Sequence, residues 1–480
     1  MKSTLQRLRH LAALVLANAV LIGCAAGPNF VAPQPPFEKT YTAVPVQAFG
    51  SAGPADPEQR LAIGAPPRAD WWTSLHSPEL DEVVALALKN NPTLEIARAN
   101  LASAAEMIAA ANGARYPQID SANSVGRTRY GAAFLGPEGS TYPVFSAYSV
   151  GVDVQYDFDI SGGLKRGVEQ ARAAASYQRE QLNAAQLSVS GNAVLQALQI
   201  ASLRAQIEVV QHVLESDEKT LALVQHARAA GVVSDIDVLS ARSQRDSDRT
   251  LLPPLRQQLN VAQDALAVLI GRSPASWSAP DFVLERLNLP VDLNLSLPSE
   301  LVRLRPDIRA AEAQLHEASA AVGVATADMY PRLTLNAGLA EEGIISGGTA
   351  PAWSLIGGLT APIFHGGTLS AKRRAAEDAY QAAFANYQQT VLASFAQVAD
   401  TLHGLENDAD SLQSQQKALA SANSALELVR QGYKVGNAGI VQIVTAQRLQ
   451  QLADLGVVQA RAQRYADTVR LCLASGGGVI

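Results

Sequence analysis

From Tyr148 to Phe158 the chain alternates without a break. Tyr148, Val150, Val152, Val154, Tyr156 and Phe158 fall on one side; Ser149, Gly151, Asp153, Gln155 and Asp157 fall on the other. This period of two predicts a strand with one apolar and one polar face. A strand that crosses a membrane needs roughly 9–11 residues, whereas a half-buried strand in a soluble sheet usually stops at about five or six. Further on, Leu333, Leu335, Ala337 and Leu339 alternate with Arg332, Thr334, Asn336 and Gly338. The apolar, Gly-rich segment 353–364 and the weakly patterned residues 118–130 complete a set of four candidate strands.

A second pattern belongs to helices. Ile200, Leu203, Ile207, Val210, Leu214, Leu221 and Val224 follow three- and four-residue spacing, and Asp217 alone breaks the seam. Phe384, Val391, Val398, Leu405, Leu412, Leu419, Leu426 and Tyr433 recur at every seventh position. Such heptads predict coiled-coil packing. No Pro interrupts residues 165–231 or 369–436, so each stretch can form one helix of about 65 residues, roughly 100 Å long. An earlier helix of roughly 35 residues is expected to start at Ser77-Pro78-Glu79, an N-cap followed by Pro at the first helical position.

These patterns occur twice. Pro92, Ala97, Ala99, Leu101, Ala111, Tyr116 and Pro117 recur as Pro306, Ala311, Ala313, Leu315, Ala325, Tyr330 and Pro331. Gly162-Gly163 recurs as Gly366-Gly367, and Leu223-Val224 through Gly231 as Leu428-Val429 through Gly436. The chain therefore divides into a first repeat over 77–290 and a second over 291–475, with a short tail at 476–480. Each repeat holds a helix, two strands, a very long helix, a Gly-containing turn and a further helix. The join, near 272–298, carries Pro274, Pro280, Pro290 and Pro298. Four strands cannot close a membrane barrel, which takes about eight or more. Strands that cross a membrane here must be shared between chains.

Composition agrees with a helical protein: 48% of the 480 residues are hydrophobic but only 5% aromatic. The net charge of −6 leaves no basic surplus to neutralise phosphates, which argues against nucleic acid as a partner. Lys2, Arg7 and Arg9 precede an apolar stretch, Leu11 to Ile22, too short to span a bilayer as a helix. Residues 1–23 are thus expected to be a signal peptide. Leu21-Ile22-Gly23-Cys24 resembles a bacterial lipobox, in which cleavage leaves Cys24 as an acylated N-terminus. Ala25 and Ala26 follow in place of the Asp that retains such lipoproteins at the inner membrane. Cleavage would remove three positive charges and leave the mature chain at −9. Residues 24–76, rich in Pro, Gly and Ala up to about Pro67, are expected to form an extended tether without core contacts. Cys472 then stands alone as a buried, inert thiol.

Candidate chemistry is sparse. There is no P-loop, no GxSxG elbow and no HExxH helix, since His316-Glu317 lacks a second His at the required spacing. Seven histidines show no metal-ligand spacing. Met1, Met107 and Met329 make no track for soft metals. Asp153 and Asp157, with Asp159, fit a metal site in principle, but carboxylates on one face of a strand fit a solvated lumen better.

Together these segments resemble the outer membrane factors of tripartite efflux pumps, the TolC-like channels, and within them the NodT-type lipoproteins. The resemblance rests on Cys24-Ala25-Ala26-Gly27-Pro28-Asn29-Phe30 with Pro33; on Leu297-Pro298-Ser299 through Arg305-Pro306-Asp307-Ile308, with Ala311-Glu312 and Leu315; on Tyr330-Pro331-Arg332-Leu333; and on Pro362-Ile363-Phe364-His365-Gly366-Gly367. The family more often has Asp where His365 stands. The resemblance implies a mostly α fold with a small transmembrane β part. Four strands per chain would make a trimeric twelve-stranded barrel in the outer membrane of a Gram-negative bacterium, continued by a long α-helical barrel through the periplasm.

The implied partners are two further copies, a periplasmic adaptor, an inner-membrane RND-type transporter and outer-membrane lipid. The implied activity is passive conduction of small molecules such as drugs, without catalysis. No cofactor is implied beyond the diacylglycerol and N-acyl chain on Cys24. Adaptor-docking tips would be Gly231-Val232-Val233-Ser234 and Gly436-Asn437-Ala438-Gly439. The periplasmic aperture would involve Asp235, Asp237, Gln442 and Thr445, of which the last two are neutral where the family often carries acidic rings. Asp235 and Asp237 equally suit plain charge at a helix N-terminus. Asp153, Gln155 and Asp157 would line the barrel. A protein-secretion exit duct is the nearest alternative, and a lipid-anchored structural coiled coil a more distant one.

Overall fold

The computed structural model describes residues 25–35, 37–53, 56–129 and 143–477. Cys24 and the signal segment lie outside them. The helices are α1 (Pro78–Asn90), α2 (Pro92–Gly113), α3 (Gly163–Ala229), α4 (Asp235–Arg249), α5 (Leu252–Leu269), α6 (Pro298–Leu304), α7 (Pro306–Ala327), α8 (Thr368–Lys434) and α9 (Ile440–Ala474). The strands are β1 (Ala48–Phe49), β2 (Gln59–Ile63), β3 (Gln118–Thr128), β4 (Phe145–Asp157), β5 (Asp292–Leu295), β6 (Arg332–Ile344) and β7 (Thr349–Thr360).

Element lengths pair along the chain. Helices α3 and α8 have 67 residues each, α2 and α7 have 22 each, and β4 and β7 have 13 and 12. The single helix expected after Ser77 is in fact two. Ser77 caps α1 by accepting from the Leu80 N–H, but Asn91 is extended (ψ 123°) before Pro92. A Pro ring disfavours helical backbone in the residue before it and supplies no N–H of its own. Arg305 and Pro306 divide α6 from α7 in the same way.

The chain folds as two compact units, and each unit draws on both repeats. One holds Asn100–Arg179 and Ala310–Gln388 with the N-terminal residues up to Pro33; the other holds Gln34–Ala99, Glu180–Arg309 and Gln389–Ile480. In the first unit, β3-β4-β6-β7 form one antiparallel sheet in that order. In the second, the heptad positions become core. Ile200, Leu203, Val210, Leu221 and Val224 are buried, as are Val391, Val398, Leu405, Leu412 and Leu426.

The segment expected to be an unpacked tether is partly core. Strands β1 and β2 join β5 in a three-stranded sheet, and Phe49 is buried with Leu293, Leu295, Leu301, Val398 and Leu405. Asp56 is bound by Arg461 at 3.1 and 2.9 Å. Short strands in Pro-rich sequence carry too few residues to show a period, and their partner β5 is about 230 residues away. The Arg305-Pro306-Asp307 motif also gains a structural reason. The Arg305 guanidinium donates to Asp307 (3.0 and 2.8 Å), to the Ala474 carbonyl (2.7 Å) and to Gln397 (2.9 Å), and so ties the α6–α7 break to α8 and to the end of α9.

Candidate membrane sheet and helical tips

Cross-strand register sorts the sheet into two faces, since directly opposed residues share one. One row runs Ser121–Val152–Leu339–Trp353, the next like-facing row Ile119–Val154–Ala337–Leu355, and Tyr156 faces Leu335. Among the described residues nothing covers this apolar face: Trp353 is 79% exposed and Ile119 68%. The apolar band gives way to polar side chains where Asn123 and Glu341 flank Val150.

The opposite face carries Asp120–Asp153–Gly338–Ser354 and Gln118–Gln155–Asn336–Ile356. Asp153 and Gln155 thus sit on the polar face, as expected. Asp120, opposite Asp153, is an addition that the weak pattern of residues 118–130 concealed. Opposed carboxylates repel unless solvated, which suits a wet surface. Asp157 behaves differently: its Oδ1 accepts from the Asp159 N–H at 2.8 Å. Asp159 in turn accepts from the Leu164 and Lys165 N–H groups, both at 2.9 Å, and caps α3. Asp153, Asp157 and Asp159 are not assembled as a ligand set; among the described residues no group of three or more His, Cys, Asp or Glu is placed to hold a metal ion.

Among the described residues, strands β3 and β7 each pair on one side only. A backbone edge left open in lipid costs several kcal/mol for each group without a partner. The sheet is therefore incomplete by itself as a membrane element. No described helix is long and apolar enough to cross a bilayer.

At the far ends of α3 and α8 are the two tips. Gly231 (φ +75°) and Gly436 (φ +80°) turn the chain in the left-handed region, where residues with a Cβ are strained. Ser234 then opens α4 with a capping box. Its Oγ accepts from the Asp237 N–H, while Asp237 Oδ2 accepts from the Ser234 N–H at 2.9 Å and from its hydroxyl at 2.8 Å. These bonds hold the Asp237 carboxyl below the usual range. Arg228 grips Asp235 at 2.8 and 2.9 Å and lowers its pKa too.

In the second tip Gln442 Oε1 accepts from the Gly439 N–H at 2.9 Å, and the Thr445 hydroxyl donates to the Val441 carbonyl at 2.8 Å. Asp235, Asp237 and Gln442 thus stand in the first turns of α4 and α9 and Thr445 in the second turn of α9, each bonded within its own hairpin. The tips share one apolar cluster, in which Leu221, Val224, Ala241, Ile440 and Ile443 are buried. Around it Val232, Ile236, Val435 and Val441 are exposed. Of these four, only Val232 was among the expected tip residues; Ile236 and Val441 stand in the flanking helices α4 and α9.

Below the tips, Asp217 is explained. It is buried against Asp248 of α4, and burial, followed by the hydrogen bond from its partner carboxyl, raises its pKa to about 7. A second pair, Asp408 with Asp467, is raised to about 7 by the same two causes. Burial likewise pushes the free Cys472 thiol up to about 12, although the side chain keeps partial exposure.

A helix-rich chain with one bifacial sheet and two long hairpins matches known proteins along its length. The sequence profile of the outer membrane efflux protein family matches residues 83–272 and 297–477, one stretch in each repeat. This chain belongs to that family, and its place is the outer membrane. It is 31% identical over 442 residues to the pyoverdine export outer membrane protein OpmQ of Pseudomonas aeruginosa, covering 89% of this chain and 92% of that one. It is 25% identical to the probable outer membrane lipoprotein SilC of Salmonella typhimurium, over 96% of each chain. Its fold superposes on the outer-membrane channel OprN with a TM-score of 0.82 at 25% identity, covering 95% of this chain and 99% of that one.

Proposed function

We propose that this protein is the outer membrane exit duct of a tripartite efflux pump, and that it conducts small molecules such as drugs without chemistry of its own. One observation carries the reading: a four-stranded sheet whose apolar face is uncovered, whose other face is polar, and whose two edges are open. Three copies joined edge to edge give a twelve-stranded barrel, put Trp353, Leu339 and Ile119 against lipid, and turn Asp120, Asp153 and Gln155 toward water. The lumen is then acidic and favours cations.

The exposed Val232, Ile236, Val435 and Val441 make the tips the docking surface for an adaptor, which links the duct to an inner-membrane RND-type transporter. Asp235, Asp237, Gln442 and Thr445 form the narrow end. Acylation of Cys24 fastens the chain to the membrane, a reading supported by the lipobox and by the lipoprotein name of the Salmonella relative.

The test is a strain lacking the protein, complemented with the wild type. Raised antibiotic and dye accumulation in the deletion, with unchanged secreted proteins, is the expected result. Loss of a secreted protein with normal accumulation would move the chain to the protein-secretion class. For the aperture, Asp237→Ala is expected to raise single-channel conductance of the purified protein in planar bilayers; an unchanged conductance removes Asp237 from the constriction.

A further inference from the structure

The residues that follow Cys24 are bound. The Ala26 N–H donates to the Ser161 carbonyl at 2.8 Å. Arg166, only 3% exposed, directs most of its guanidinium at this segment. Its Nε donates to the Ala26 carbonyl at 3.0 Å, and one terminal nitrogen donates to the Gly27 carbonyl at 3.2 Å and to Asn29 Oδ1 at 2.8 Å. Glu169 holds the other terminal nitrogen at 2.6 Å and also meets His316 Nε2 at 3.0 Å. The His316 ring stacks on Phe30, with centroids 4.3 Å apart and planes within 10°.

Shape repeats the message. A Cβ on Gly27 would lie 2.5 Å from the Gly323 Cα, and one on Gly162 would lie 2.7 Å from the Ala25 Cα. Backbone approaches this close require glycine. A buried guanidinium whose hydrogen bonds go to the carbonyls of a leader segment is costly unless that segment stays in place.

We propose that Arg166, Gly162, Gly323 and His316 form a receptor for the chain's own N-terminus, and that it fixes the lipid anchor beside the sheet so that the acyl chains set the sheet's depth in the bilayer. The proposal rests on acylation of Cys24. Ala25 is held against Gly162, five residues beyond the end of β4 at Asp157. Cys24 is bonded to Ala25, so its acyl chains start within one residue of a fixed point. Anchor and membrane strands then enter lipid as one body, and the anchor is a depth gauge in place of a slack tether.

The experiment uses full-length protein in phosphatidylethanolamine–phosphatidylglycerol vesicles with bromine at set acyl depths. Trp353 on the apolar face reports depth through quenching, and hydrogen exchange at the Ala26 amide reports docking. Arg166→Met removes the clamp. Phe30→Ala loosens the segment while leaving the body's own side chains in place. Both variants are expected to keep the acyl mass on Cys24, to speed Ala26 exchange by about 100-fold, and to shift the Trp353 quenching profile toward that of Cys24→Ala.

Ala26 protection unchanged in both variants overturns the receptor. Fast exchange with an unmoved Trp353 profile overturns the depth assignment. Wild-type protein without acyl mass defeats the acylation reading and the depth assignment with it, an outcome that mass spectrometry separates from failure of the clamp.

Discussion

Past the tip of the first repeat, the returning helix is broken between Arg249 and Leu252, just ahead of Pro253 and Pro254. Past the tip of the second, α9 runs unbroken for 35 residues. The two returns nevertheless start and finish 205 residues apart, Asp235 against Ile440 and Leu269 against Ala474. The difference lies in what each return packs on. The buried side of helix α5 is apolar, with Leu266 and the following Ile270 packed among Leu80, Val84 and Ala193. Helix α9 carries buried polar side chains, and two of them, Arg464 and Thr468, hold β2 in place through Gln59. The two hairpins match in length while the chemistry of their interiors differs.

Arg464 is the strongest handle on that difference, for it stands where the first repeat has Leu259. It is 1% exposed, and it donates to Gln59 Oε1 (3.1 Å) and to the carbonyls of Gly50 (3.0 Å) and Pro57 (2.9 Å). Arg464→Leu makes the two repeats alike at this position. It is expected to cost about 1–3 kcal/mol for each buried acceptor left without a donor, read as a lower thermal midpoint and as protease cleavage within residues 48–63. A loss under about 1 kcal/mol would show that the repeats differ there in sequence but not in energetics.

The seams give the next contrast. Leu412 is fully buried, while its counterpart Ile207 is half-buried. Leu412→Ala is expected to cost about 3 kcal/mol and Ile207→Ala about half as much; equal losses in denaturant unfolding would erase the distinction.

Asp217 provides a third. Its pKa in the fold, about 7, lies above the ordinary 3.8, so between those values the folded chain holds a proton that the unfolded chain has released. Stability is therefore full at acid pH and falls as pH rises through 7. Asp217→Asn is expected to raise the thermal midpoint by roughly 3 °C at pH 8 and by about 1 °C or less at pH 5; the Asp408–Asp467 pair keeps a residual pH slope in that variant.

The caps give the smallest effect. Ser234→Ala removes a full capping box and is expected to cost about 1 kcal/mol, whereas Gly439→Ser in the other tip should change stability by roughly 0.5 kcal/mol or less. Hydrogen exchange in the first turns of α4 and α9 distinguishes the two.

Much of this architecture was legible in the chain itself. Heptads, broken only at Asp217, within Pro-free stretches set the two 67-residue helices to within a few residues, since a long periodic run leaves no alternative partner for its apolar stripe. Alternation located β4 and β6, and repetition located β3 and β7. Ser77, Gly231, Gly436 and the acidic first turn after Ser234 act through local backbone geometry, and local geometry is written in neighbouring residues. Tertiary structure decided the rest. Phe49 in the core, Asp217 against Asp248, and Arg166 on the carbonyls of Ala26 and Gly27 each join parts of the chain from about 30 to more than 240 residues apart. No period or spacing encodes such pairs. A lone buried Asp or Arg becomes intelligible only once packing has removed its water and supplied its partner.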